Sequence, residues 1–207
     1  MLKFLKFIAK PFFKIWAISL FFLFSLEIAK SDNYRDQCNK FAEIPDNHFI
    51  GMFTPVDNET SELALKYCSH AYNENSNDGK IILNYLRSLI SQKDKSKINI
   101  NELIELSYEA INLGENGYPF LVNLFEFGSE MILGISGVDE NMDEVIDLLY
   151  EGANKGFAYN QYLLYEKIND GLIMYDSQDE SYSESNKWLQ LSAKNKFGFA
   201  EIDLITT

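Results

Sequence analysis

Between residues 102 and 156 the chain carries one pattern of apolar and polar positions twice. The segments ELIELSYEAINLG (102–114) and EVIDLLYEGANKG (144–156) coincide at seven of thirteen positions: Glu, Ile, Leu, Tyr, Glu, Asn and Gly. In the later copy Val145, Leu148, Leu149, Gly152 and Ala153 fall at i, i+3, i+4, i+7 and i+8, which places them on one stripe of an α-helix. Leu103, Leu106, Ala110 and Ile111 repeat that stripe in the earlier copy. The same frame extends, more weakly, to ELALKYCSHAYNE from Glu62 and ESNKWLQLSAKNK from Glu184. The leading glutamates Glu62, Glu102, Glu144 and Glu184 are then 40, 42 and 40 residues apart, and a period near forty predicts an array of helical units.

Each of these helices is followed by a second apolar run: KIILNYLRSLI from Lys80, YPFLVNLFEFG from Tyr118 and FAYNQYLLYEKI from Phe157. These predict partner helices, with Pro119 in a first turn, where its missing N–H costs nothing. Small residues near the ends of the leading helices (Ala71, Ala110, Gly152, Ala153, Ser192, Ala193) let two helix axes approach closely. Gly114 and Gly156 suit the left-handed position just past a helix end. A glutamate at each start faces the positive end of the helix dipole. The expected fold is all-α, an α/α solenoid of about three helical hairpins plus a trailing half-unit that ends in FGFAEIDLITT and is placed to act as a cap.

The first thirty residues have a different character. Lys3, Lys6, Lys10 and Lys14 precede a charge-free run from Ile15 to Leu26, IWAISLFFLFSL. A cut after Ser31 puts Ala29 at −3 and Ser31 at −1, the small-residue pattern of a secretory signal peptide. A retained anchor is the competing expectation. Twelve helical residues at about 1.5 Å each cover only ~18 Å of a hydrocarbon core about 30 Å thick. No cysteine follows the apolar run in a lipobox, since Cys38 sits in YRDQC, so a lipid anchor is not expected. The expected division is therefore a signal peptide over 1–31, an N-terminal segment over 32–59 and the helical repeats over 60–207, with the mature protein secreted or periplasmic and meeting a membrane only through an uncleaved signal.

The whole chain of 207 residues carries a net charge of −13. Removing residues 1–31, with five Lys and one Glu, leaves 13 basic and 30 acidic residues, a net charge of −17. That excludes broad nucleic-acid binding, which draws its affinity from clustered Lys and Arg, and it favours basic partners. Only two cysteines exist, Cys38 and Cys68, both in the exported part. An even pair in an oxidising compartment predicts one disulfide. A metal site from Cys38, Cys68, His48 and His70 has suitable ligand types but none of the tight spacings that mark such sites.

Residues 137–164, GVDENMDEVIDLLYEGANKGFAYNQYLL, resemble a Sel-one-like repeat, a relative of the tetratricopeptide repeat. Gly137, Val138, Gly152, Ala153 and Gly156 match its unit of Gly-Val turn, helix ending in two small residues and Gly, then second helix; Gly171 falls on its next loop glycine. Asn160 stands where the family has Ala, Lys196 where it has Gly, and the loops after Phe127 and Gly171 are longer than usual. The stretch with Cys38 in QCNKFA, Pro45-Asp46 and Cys68 in LKYCSHAY is similar to the segment preceding such repeats in some exported bacterial proteins. The resemblance implies a curved protein-binding scaffold without catalysis and without a cofactor.

Catalytic patterns are sparse. His48 and His70 are the only histidines, neither beside a G-x-S-x-G elbow nor in an H-E-x-x-H helix, and no phosphate-cradling glycine loop occurs. His70 falls at a small-residue packing position of the first repeat. Asp139-Glu140-Asn141-Met142-Asp143 begins like a calcium loop, but its sixth position is Glu144 rather than Gly and its twelfth is Tyr150 rather than a carboxylate. Asn58-Glu59-Thr60 is a glycosylation sequon, meaningful only in a secretory route that adds glycans. A cell-envelope hydrolase acting on wall-derived or β-lactam substrates is the alternative function, motivated by compartment alone. Aromatic residues are dense in the partner helices: Tyr118, Phe120, Phe125, Phe127, Phe157, Tyr159, Tyr162 and Tyr165. Most suit a hairpin core, while some, with Phe120 and Tyr162 as candidates, are expected to line a groove for a basic, partly apolar peptide or protein.

Overall fold

The computed structural model describes residues 33–42, 56–57, 59–74 and 77–206. The leader 1–31, His48, Pro45-Asp46 and the sequon asparagine at 58 lie outside the described residues. Within them the chain is all-α, with no strand. Residues 33–42 form α1. There follow α2 (Ser61–Glu74), α3 (Gly79–Ile90), a 3-10 turn (Lys95–Lys97), α4 (Ile100–Asn112), α5 (Tyr118–Leu133), α6 (Met142–Asn154), α7 (Ala158–Asn169), α8 (Gln178–Lys194) and α9 (Gly198–Thr206). No helix among the described residues is long and apolar enough to cross a membrane.

Local chemistry explains the boundaries. Side-chain oxygens of Asp78, Asn99, Asn141 and Ser177 accept N–H groups of the first turns of α3, α4, α6 and α8, satisfying donors that have no partner within the helix. At the other end, three leading helices stop in the same way. The N–H groups of Glu115, Phe157 and Phe197 reach back to the carbonyls of Ala110, Gly152 and Ser192 at 3.0, 3.1 and 3.1 Å. Gly114, Gly156 and Lys196 carry the left-handed turn, at φ 87°, 91° and 64°. Lys196 makes the same turn as the two glycines despite its Cβ.

Burial repeats along with the turns. Leu103, Leu106, Ser107, Ala110 and Ile111 of α4 are buried, as are Val145, Leu148, Leu149, Gly152 and Ala153 of α6, 42 residues on. Ser185, Trp188, Leu189 and Ser192 of α8 continue the series after a further 40. Successive helices pack on one another from α2 to α9, with α7 and α8 in the most extensive contact. The main core runs from Ile82 of α3 to Trp188 of α8; smaller clusters gather around Cys38, Ala42, Ala64 and Cys68 and around Leu189, Phe197 and Ala200.

Four expectations are corrected. The frame of α2 is off by one residue: its buried face is Ser61, Ala64, Cys68 and Ala71, so Ala64 and Ala71 correspond to Leu103 and Ala110 at a spacing of 39. His70 therefore leaves the packing position, is exposed, and stacks on the Tyr34 ring of α1 with centroids 4.7 Å apart. Secondly, α8 begins at Gln178 rather than near Glu184, because Ser177 caps it and Asp179 and Glu180 favour its first turn. Thirdly, α5 runs beyond Phe127 with a break at Gly128 (φ 72°, ψ 158°), where Ser129 N–H turns to the Val138 carbonyl at 2.8 Å. Finally, the trailing segment forms a helix, α9, that packs on α8 and exposes Ile202, Leu204 and Ile205, so α8 has a partner helix where an incomplete unit is expected.

The Sγ atoms of Cys38 and Cys68 lie 2.11 Å apart, at disulfide distance, joining α1 to α2. Phe41 of α1 stacks on Tyr67 of α2 with centroids 5.7 Å apart. The Arg87 guanidinium of α3 donates to the Ala42 carbonyl of α1, and burial lowers its pKa to about 10.

Candidate functional site

The two groove candidates fall in different places. Phe120 is 2 % exposed and belongs to the main core. It sits on the buried face of α5 with Leu121 and Leu124, so it offers no surface to a ligand. Tyr162 is half-buried on α7, in an aromatic cluster with Tyr165, Phe197 and Phe199 at centroid distances of 5.6, 5.1 and 6.3 Å. Its hydroxyl donates to Asp203 of α9 at 2.9 Å. Burial and then that carboxylate push the Tyr162 pKa upward. The ring joins α7 to α9 as much as it lines a surface.

A different set of residues converges on the leading helices. The Tyr72 hydroxyl of α2 donates to Glu109 of α4 at 3.1 Å, and the Tyr108 hydroxyl of α4 donates to Glu144 of α6 at 3.4 Å. Tyr85 of α3 stacks on Tyr72 at 5.1 Å and donates to Glu102 of α4 at 3.3 Å. Tyr150, which occupies in α6 the position of Tyr108 in α4, meets the Tyr175 hydroxyl at 2.6 Å and the Trp188 ring of α8 at 6.2 Å. These contacts bridge α2 to α4, α4 to α6 and α6 to α8.

That face is strongly acidic. Within its bounds α4 carries Glu102, Glu105 and Glu109, and α6 carries Asp143, Glu144, Asp147 and Glu151; neither contains a Lys or Arg. The tyrosines register the field. Burial, followed by the charge of Glu102 and the hydrogen bond to it, pushes Tyr85 up to about 12. Tyr72 is raised by burial, by its bond to Glu109 and by the charges of Glu109, Glu102 and Glu105, and Tyr108 by burial, Glu144 and Glu151. Carboxylates beside exposed ring edges can accept Lys or Arg side chains while the rings cover the aliphatic stems. Lys155, just past α6, pairs with Glu151 at 2.9 Å at one end of the face.

No family model, curated protein or solved structure matches the chain. Among the described residues no group of three His, Cys, Asp or Glu side chains is arranged to hold a metal ion. Asn141, from the calcium-like run, serves as the cap of α6, accepting the Glu144 N–H at 3.3 Å.

The tyrosine–glutamate pairs were not singled out from the sequence, although a signal existed. Tyr108 and Tyr150 coincide when 102–114 is laid over 144–156, as do Glu102 and Glu144. Shared spacing alone, however, does not show that Tyr108 points toward the next unit.

Proposed function

We propose that the chain is an exported helical-repeat scaffold of the Sel-one-like kind, a solenoid of hairpins α2–α3, α4–α5, α6–α7 and α8–α9 with a period of 39 to 42 residues, which binds a basic, partly apolar segment of another protein and catalyses nothing. The recurring buried positions and the three identical helix ends support the repeat. The binding reading is carried by one observation: the seven carboxylates of α4 and α6, unaccompanied by any basic residue within those helices, beside the tyrosines that bridge them. Export is supported by the sequence of residues 1–31 and by the cysteine pair.

The test uses the mature, oxidised protein and a fluorescent peptide alternating Lys and Leu, with a Glu/Leu peptide as control. The Lys peptide alone binds, and its affinity falls as salt rises, because exposed charges are screened over about 10 Å at 0.1 M. Glu105→Lys with Asp147→Lys, both exposed positions, weakens it about tenfold or more. Equal binding of both peptides, or indifference to the double reversal, overturns the acidic-face reading. Turnover of a wall-derived or β-lactam substrate at low enzyme concentration, lost on changing one carboxylate, overturns the non-catalytic one. N-terminal sequencing of secreted protein should begin at Asp32.

A further inference from the structure

Among the tyrosines of the leading helices, Tyr150 departs from the other two. Tyr72 and Tyr108 give their hydroxyl protons to carboxylates of the following leading helix, Glu109 and Glu144. For Tyr150 the residue in the place of Glu144 is Glu184, forty residues on, but its carboxylate is turned to Lys187 at 2.8 Å. The Tyr150 hydroxyl instead meets a second phenol, Tyr175, at 2.6 Å. Tyr175 comes from the long loop after Gly171. Ile173 anchors that loop in the main core, and the N–H groups of Leu172 and Ile173 both return to the Lys167 carbonyl, at 2.9 and 3.1 Å. Both tyrosines are half-buried, so packing holds the contact while part of each ring stays within reach of a small oxidant.

We propose that Tyr150 and Tyr175 form an oxidative modification site, joined ring to ring as a dityrosine by a one-electron oxidant of the peroxidase class that consumes hydrogen peroxide. Each phenol gives up one electron and its hydroxyl proton. The two radicals then couple through the carbons ortho to oxygen, and the hydrogens of those carbons return to the oxygens as the rings regain aromaticity. Two tyrosines and one hydrogen peroxide thus become one dityrosine and two waters. The product is a biphenol whose two hydroxyls are neighbours and bond to each other. Here the two oxygens already share a hydrogen bond, and the reacting carbon of each ring lies two bonds from its oxygen. Other close tyrosines are arranged differently: Tyr72 and Tyr85 stack while sending their hydroxyls to separate glutamates, and Tyr162 turns its hydroxyl to Asp203 rather than to Tyr165. Burial and the bond to Tyr150 push the Tyr175 pKa upward, so its hydroxyl stays protonated and paired at neutral pH. The new bond would fasten the loop before α8 to α6 across 25 residues, a second covalent staple that restricts the unfolded chain as the Cys38–Cys68 bond does.

The test treats the dilute, mature protein, its disulfide intact, with a haem peroxidase and hydrogen peroxide. Tryptic mapping should find the peptides holding Tyr150 and Tyr175 joined, with the mass of the pair less two hydrogens. Blue dityrosine fluorescence should rise with that product, and the treated protein should melt at a higher temperature than the untreated one. Tyr175→Phe and, separately, Tyr150→Phe should each abolish the joined peptide and most of the fluorescence while keeping the helical circular dichroism. The mapping of the parent protein stands without either variant should one fold poorly. Coupling that goes first to other tyrosines, cross-links found only between chains, or fluorescence indifferent to Tyr175→Phe in a folded variant overturns the proposal.

Discussion

Gly152→Ala probes the close fit between α6 and α7. A Cβ at position 152 would stand 2.4 Å from Asn160 Nδ2, 2.6 Å from its Cγ and 3.0 Å from its Oδ1, well inside the ~3.5 Å at which carbon and nitrogen atoms rest. Asn160 cannot swing aside, being fully buried on α7. Its Nδ2 makes one long bond, 3.5 Å, to the Leu148 carbonyl, and its Oδ1 is without a partner. Alanine in a helix interior is worth about 0.5–1 kcal/mol over glycine. Forcing a methyl into a filled interface costs about 1–3 kcal/mol. The expected net result is a loss of about 1–2 kcal/mol, a fall in Tm of roughly 2–8 °C for a chain of this size. Asn160→Ala should reverse the sign, because it removes the obstructing amide and its orphaned oxygen together, and the new methyl at position 152 fills part of the space. The double variant should match or exceed the parent, with a coupling energy of about 2 kcal/mol. Urea unfolding followed by circular dichroism and by Trp188, the one tryptophan after residue 31, measures all four proteins. A stabilising Gly152→Ala, or single effects that simply add, would refute the steric argument.

Lys196→Gly should stabilise by about 0.5–1.5 kcal/mol, since a left-handed non-glycine residue costs about 1–2 kcal/mol and glycine returns part of that as unfolded-state entropy; no gain in thermal melting would count against the shared helix end. Closing the loop between Cys38 and Cys68, 30 residues apart, stabilises by roughly 3.5–4 kcal/mol on the chain-entropy estimate. Thiol labelling of the unfolded secreted protein should find no free thiol before reduction and two after it, and two before reduction would disprove the bond. Tyr85 and Tyr159 are both raised from 10.0 to about 12, chiefly by burial. The folded state therefore holds these protons more tightly than the unfolded chain, so their contribution is complete below pH 10 and is lost as pH rises through 12. Tyr159→Phe should remove up to about 3 kcal/mol of that alkaline loss, and an unchanged pH slope would contradict it. Phe120→Ala should cost about 3–5 kcal/mol of folding free energy and leave the affinity of the folded protein for the Lys/Leu peptide unchanged.

Much of the helical framework follows from the residues themselves. The 3.6-residue spacing of Val145, Leu148, Leu149, Gly152 and Ala153 admits one buried stripe, and the small residues followed by Gly114 and Gly156 admit one kind of helix end, because these are constraints of local geometry that each segment carries alone. The departures at Asn160 and Lys196 were equally visible as unusual residues. Tertiary structure decided what depends on neighbours. The rotation of α2, which moves the buried face from the frame of Glu62 to Ala64, Cys68 and Ala71, is set by the bond to Cys38 and the stacking of α1, distant partners that no local periodicity encodes. An aromatic residue satisfies core and surface alike, so only packing could bury Phe120, leave Tyr162 joining α7 to α9, and turn Tyr72 and Tyr108 toward Glu109 and Glu144. Likewise Ile202 and Ile205 look in sequence like the inner face of one more helix, and they are exposed because among the described residues no further helix covers them.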